Sequence, residues 1–329
     1  MIQRWLMTAL AAATLLVPLS EGTRAEETVR VGVLAFGTVN WELDVIQHHG
    51  FDAESGIALD VVQLASNQAT TVALQSGDVD VIVSDWLWVS RQRSDGKTLT
   101  FVPYSSSVGA IMVPPDSPIQ GLADLRGRKI AVAGGPLDKS WLLFQGLAKR
   151  DHGIDLRTES EQVFGAPPLL AKTAEQGEVD AILNYWHYGA RLEARGFRRI
   201  MGAEEAAMKL GATGRIAAIG YVFDERWAAA HPKAIAGFIQ ASRKAKDLMM
   251  RDDAEWERLR ELIGAEDDAT LRALRKRFRE GIPNRPLAEE LRDTEAIYEL
   301  LAEFGGETLV GPSKSLAKGT FWPNSPNDF

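Results

Sequence analysis

The sequence contains no cysteine, which excludes disulfides, thiolate nucleophiles, cysteine-held metal centres and an acylated-cysteine lipid anchor. The compartment stays open on that ground, because oxidising compartments permit disulfides without demanding them. Histidine is scarce: His48, His49, His152, His187 and His231 are the whole supply, and they form no metal-spaced cluster. Positive charge is in deficit, with 37 Lys and Arg against 45 Asp and Glu, a formal charge of −8. An acidic chain without a basic stripe argues against nucleic acid or anionic membrane as partner. Beyond the first residues there is no further run of eighteen apolar residues, so no other segment is expected to span a bilayer. No nucleophile elbow, paired catalytic motif or dinucleotide fingerprint occurs. Residues 134–140 (GGPLDKS) are not a phosphate loop, since Asp138 stands where the glycine before Lys-Ser is required.

The start of the chain reads as an export signal. Arg4 supplies a positive n-region, residues 5–19 are apolar, and Thr23-Arg24-Ala25 is a small-x-small cleavage site. The apolar run is shorter than the roughly 20 residues a membrane anchor needs. Residues 1–25 are therefore expected to be removed, giving a soluble product in a bacterial periplasm. Losing Arg4, Glu21 and Arg24 takes away a net +1 and leaves −9. The remainder is long enough for two domains.

What is present is a repeat. Residues 77–89 (GDVDVIVSDWLWV) recur one hundred positions later as 177–189 (GEVDAILNYWHYG), matching Gly77 to Gly177, Asp80 to Asp180, Ile82 to Ile182 and Trp86 to Trp186. In each copy a glycine ends a helix, an acidic turn follows, and apolar residues form a buried strand. Both strands end in aromatic and polar residues, and ligands bind outside the carboxyl ends of parallel strands. Residues 29–34 are echoed by 129–134 in the same way. The expected architecture is α/β, two similar lobes with one ligand held between them.

Taken in order, strands are expected at 29–34, 57–64, 79–83, 99–104, 108–113, 129–133, 179–183 and 216–223, with helices between them. Pro114-Pro115 and Pro118 read as the exit from the first lobe. From 224 to 305 the apolar spacing is helical almost throughout, and this amphipathic, Arg- and Glu-rich stretch is assigned no chemistry. Residues 314–329 read as a surface tail.

Three stretches, 74–82 (LQSGDVDVI), 113–132 (VPPDSPIQGLADLRGRKIAV) and 176–182 (QGEVDAI), resemble the nitrate/taurine/sulfonate class of ABC-transporter substrate-binding proteins, which includes binders of thiamine-precursor pyrimidines. The resemblance implies a type II periplasmic binding fold: two parallel-sheet lobes, two crossover segments and hinge closure around a ligand. It also implies a first lobe of 26–113 resumed over 223–329, a second lobe of 114–222, delivery to an inner-membrane permease with a cytoplasmic ATPase, a monomer, and no catalysis or cofactor.

Candidate ligand-binding residues lie in the loops at strand ends. They are Phe36, Gly37, Asn40 and Trp41; Ser66, Asn67 and Gln68; Asp85, Trp86 and Trp88; Asp138, Lys139, Ser140 and Trp141; and Asn184, Tyr185, Trp186 and His187. Trp86 and Trp186, at matching strand ends, are expected to face one ligand from opposite sides. Each candidate has an ordinary structural alternative. Tryptophans pack in cores, while Ser66, Asn67, Asp85, Asp138 and Ser140 suit helix caps. Lys139 is the sole cation in these loops, so a planar nitrogen heterocycle or amine-bearing compound fits better than a sulfonate or nitrate. A hard metal ion on Glu42, Asp44, Asp85 or Asp138 would lack any known loop spacing. An enzyme or a non-transport sensor on the same fold remains open.

Overall fold

The computed structural model describes residues 26–323; the expected signal at 1–25 and the last six residues lie outside them. Ten strands form two five-stranded sheets. The first sheet has the order β2-β1-β3-β10-β4, built from β1 (Glu27–Leu34), β2 (Ile57–Leu64), β3 (Val81–Asp85), β4 (Leu99–Ser105) and β10 (Ile219–Asp224). The second has the order β7-β6-β8-β5-β9, from β5 (Ala110–Val113), β6 (Lys129–Ala133), β7 (Glu161–Gly165), β8 (Ala181–Asn184) and β9 (Arg198–Gly202).

The repeat has a structural counterpart. Gly77 and Gly177 end their helices at φ 81° and 74°, a conformation that costs glycine nothing. Asp80 then accepts from the Arg30 backbone N–H at 2.9 Å, and Asp180 accepts from the Lys129 N–H at 2.8 Å. Each aspartate thus pins the strand beside it in its lobe. The sheets are mixed rather than wholly parallel. β5 runs antiparallel to β8 and β9, and β10 antiparallel to β3 and β4. These are the first strands after each crossing between sheets, and the chain enters each from the end facing the other lobe.

The crossings differ from the expected lobe boundaries. β5 pairs in the second sheet, so the chain leaves the first sheet at 106–109, not after Val113. It returns over 203–218, ahead of β10, rather than at 222–223, where the first lobe is expected to resume. Residues 108–113 are apolar throughout, and a periodic pattern cannot tell which sheet such a strand joins. β7 and β9 have no clear sequence signature because they are the edges of the second sheet, where one side of the strand needs no partner. The tail is more ordered than its composition suggests. Phe101 donates to the Thr320 carbonyl at 2.8 Å and Trp322 to the Phe101 carbonyl at 2.9 Å, covering the open edge of β4.

Two helices tie the lobes on their flanks. Helix Leu287–Val310 packs against both Trp86–Ser94 and Lys139–His152. Its approach requires Gly146, whose Cβ would lie 2.3 Å from the Phe304 ring. On the opposite flank helix Trp186–Ala194 of the second lobe packs against Asp268–Glu280 of the first.

Candidate binding site between the lobes

The loops at the strand ends converge as the repeat implies, but only some candidates meet there. Asp85 caps the helix after β3, accepting from Trp88 N–H at 2.9 Å. Its other oxygen accepts from Lys139 Nζ at 3.0 Å, so an ion pair joins the two lobes. Burial opposes the charge on Lys139, but Asp85 and Asp138 outweigh it and hold its pKa above the usual lysine value. With Lys139 40% and Asp85 21% exposed, the pair is a weak tether, worth up to about 1 kcal/mol. Asp138 caps the next helix through Trp141 N–H at 3.0 Å, and burial pushes its carboxyl up. A Cβ on Gly134 would sit 3.0 Å from Asp138 Oδ2 and 3.2 Å from Tyr185 Oη. Asp85, Asp138, Lys139 and Tyr185 therefore form one cluster, with Ser140 beside it on the capped helix.

The other candidates serve mainly structure. Asn40 donates to the carbonyls of Leu34 at 2.7 Å and Gly37 at 2.9 Å, closing the loop that leaves Phe36 74% exposed. Ser66 caps its helix by accepting from Ala69 N–H at 3.1 Å, and Asn67 and Gln68 are exposed. Asn184 is buried and holds the Pro167 carbonyl at 2.9 Å. Trp141 is 1% exposed within the core, and Trp88 is half-buried against the same cluster.

Trp86 does not face Trp186 across an open cleft. It is 4% exposed, lies 6.3 Å from the Tyr298 ring, and among the described residues has no hydrogen-bond partner at Nε1. Helix Leu287–Val310 supplies that cover, and nothing in the repeat encodes it. Trp186 instead meets Trp41 edge-on at 5.8 Å and Phe278 at 6.3 Å. His187 follows it with a buried Nδ1 that has no hydrogen-bond partner among the described residues, and burial lowers its pKa to about 4, so the ring is neutral. The carboxylates considered for a metal ion are dispersed: Glu42 is buried against Lys246, Asp44 pairs with Arg258 at 2.5 Å, and Asp85 pairs with Lys139. Among the described residues no group of three His, Asp or Glu could hold a metal ion.

Helical spacing concealed a second set of interlobe contacts. Arg277 in helix Asp268–Glu280 binds Glu193 of the second lobe through two hydrogen bonds, 2.9 and 2.6 Å. Arg191 donates to the Gly264 carbonyl at 2.9 Å and the Ile263 carbonyl at 2.7 Å. Behind these contacts two cavities share Arg215 and Glu280 as lining; the roomier, about 210 Å³, also reaches Ser106, Ala217 and Glu290. Both crossover segments contribute to it. Arg and Glu on a solvated helix face look alike in sequence whether they meet water or another lobe, so no signal could have found them.

Two solved sulfonate-binding proteins share this fold. The alkanesulfonate-binding protein SsuA from Xanthomonas axonopodis pv. citri, bound to MOPS, is 18% identical, with 90% of this chain and 98% of that one covered and a TM-score of 0.68. The periplasmic aliphatic sulphonate binding protein SsuA from Escherichia coli is 20% identical, with 90% and 92% covered and a TM-score of 0.70. The desulfurization enzyme DSZB also shares it, at 17% identity, 89% and 97% coverage and a TM-score of 0.57, so the fold alone does not separate binding from catalysis. No curated protein sequence matches the chain. The pattern described as NMT1/THI5 like matches residues 43–255, more than half of the 329, and the chain accordingly belongs to the NMT1/THI5-like family.

Proposed function

We propose that the protein is the exported substrate-binding component of an ABC importer, closing its two lobes around a small molecule and delivering it to a membrane permease. The observation that carries this reading is the Asp85–Lys139 ion pair, which joins strand-end loops of opposite lobes at 3.0 Å. A ligand arriving there must part or replace that contact, so binding and lobe movement are coupled. The sheets exchange the chain through segments 106–109 and 203–218, and these are where bending belongs. The family and the sulfonate-binding proteins of the same fold, one of them periplasmic, support the assignment. So does the lack, among the described residues, of any helix long and apolar enough to cross a membrane.

The ligand chemistry follows from charge. Lys139 is neutralised by Asp85 and flanked by Asp138, and His187 is neutral. An incoming sulfonate or nitrate would meet two carboxylates for one committed cation. A planar nitrogen heterocycle or an amine-bearing compound gains hydrogen-bond acceptors from Asp85, Asp138 and the Tyr185 hydroxyl. Native mass spectrometry of protein purified from its own periplasm tests this. A retained nitrogen-rich small molecule, lost from Asp85→Asn, is the expected result. A retained sulfur oxyanion would overturn the ligand class, and conversion of the retained compound on incubation would overturn the transport role. Small-angle scattering should show compaction on adding the identified compound; an unchanged radius of gyration at saturation removes the closure argument.

A further inference from the structure

The cavity of about 210 Å³ at the crossovers shares no residue with the strand-end cluster. Its volume is many times the space a single ordered water needs, about 10–15 Å³. Four charged side chains line it: Arg215, Arg285, Glu280 and Glu290. Two of these are committed elsewhere. Arg285 binds Asp293 at 2.8 Å and the Arg215 carbonyl at 3.1 Å, and Glu280 binds Arg277 at 2.8 Å. The other two are not. Arg215 donates from Nη1 to the Glu280 backbone carbonyl at 2.6 Å and forms no ion pair among the described residues. Glu290 is 1% exposed and accepts from the Ala217 N–H at 2.5 Å through Oε1. No cation reaches it within ion-pair distance among the described residues. A buried carboxyl and a half-buried guanidinium thus face one cavity without pairing to each other. Arg285 favours the Glu290 charge, and Glu204 and Glu205 lie within the field of Arg215. Neither group has an ion-pair partner at contact distance among the described residues, and burying such groups unpaired costs free energy.

We propose that this cavity binds a small amino acid, its carboxylate on Arg215 and its ammonium on Glu290, with Ser106 and Asn284 completing the polar lining. A guanidinium binds a carboxylate through paired N–H donors, and a carboxylate accepts readily from an ammonium. A simple anion would leave Glu290 unmet, and a simple cation would confront Arg215 and Arg285. A molecule bearing both charges satisfies both. Burial raises the Glu290 carboxyl to about 7, a penalty that an adjacent ammonium relieves. Ser106 belongs to the first crossover, and Arg215 and Ala217 to the second, so an occupant touches both connections between the lobes.

Isothermal titration of the full chain with glycine and L-alanine tests the site, with acetate and glycine amide as single-charge controls. The strand-end cluster is proposed to take amines and its one cation is committed to Asp85, so it would hold glycine amide at least as well as glycine, and a preference for glycine over its amide points to this cavity instead. Glycine or L-alanine should bind at least about tenfold more tightly than either control, and Arg215→Gln and Glu290→Gln should each weaken binding about tenfold or more. No binding by about 10 mM, acetate binding as well as glycine, or unchanged affinity in both folded variants would each overturn the proposal. The control ligands decide the matter on the wild-type protein if either variant fails to fold.

Discussion

Lys246 lies in a buried network whose removal has a calculable cost. Its Nζ donates to Glu42 Oε2 at 2.5 Å and to Ser242 Oγ at 2.9 Å, while Ser242 Oγ and Tyr221 Oη donate to Glu42 Oε1 at 2.5 and 2.7 Å. The ammonium also sits 4.2 Å from the centre of the Tyr104 ring. Glu42 is 0% and Lys246 3% exposed, so solvent cannot replace either partner. Burial lowers the Lys246 pKa, and Glu42 works against that effect. Lys246→Met fills much of the side-chain volume but strands the carboxylate, which costs about 3–5 kcal/mol. For a domain of this size that is a loss of roughly 6–20 °C in melting temperature. Adding Glu42→Gln to the variant supplies an amide whose oxygen still accepts from Ser242 and Tyr221, and should restore most of the loss. Urea unfolding followed by tryptophan fluorescence measures both. A single variant within about 1 kcal/mol of wild type would refute the argument, as would a double variant no better than the single. The consequence reaches the binding site, because the network holds helix Val39–His48, whose Trp41 meets Trp186.

Trp186→Ala removes ring contacts to Trp41 and Phe278, each worth about 0.5–1.5 kcal/mol. It should enlarge the radius of gyration and weaken ligand binding roughly tenfold; a collapsed melting temperature with unchanged scattering and affinity would place this ring in the core instead. Gly220→Ala would set a Cβ 2.3 Å from the Val102 carbonyl oxygen, so little soluble folded protein is expected, and a variant melting like wild type would disprove the clash. Burial raises Glu290 from 4.5 to about 7, so the folded chain keeps a proton that the unfolded chain releases. That contribution, about 3 kcal/mol, is complete below the unfolded pKa and is lost as pH rises through about 7. Denaturation from pH 4 to 8 should show this slope in wild type and not in Glu290→Gln.

The sequence by itself determined the two lobes and their internal order. Local signals sufficed there: a left-handed glycine at 77 and 177, an aspartate pinning the adjacent strand at 80 and 180, and apolar runs between them. It also marked the strand-end loops, where Asp85, Asp138, Lys139 and Tyr185 do come together. Tertiary structure decided what local pattern cannot express. β5 joins the second sheet rather than the first because its partners, β8 and β9, lie some 70 to 90 residues away. Trp86 and Trp186 are equivalent in sequence and topology, yet helix Leu287–Val310 covers one ring while the opposite lobe meets the other. Arg277, which binds Glu193, and Glu290, which lines the cavity with Arg215, lie on helices that read as solvated walls. A side chain's spacing along its own helix says which face it occupies; what that face meets depends on elements far away in the chain.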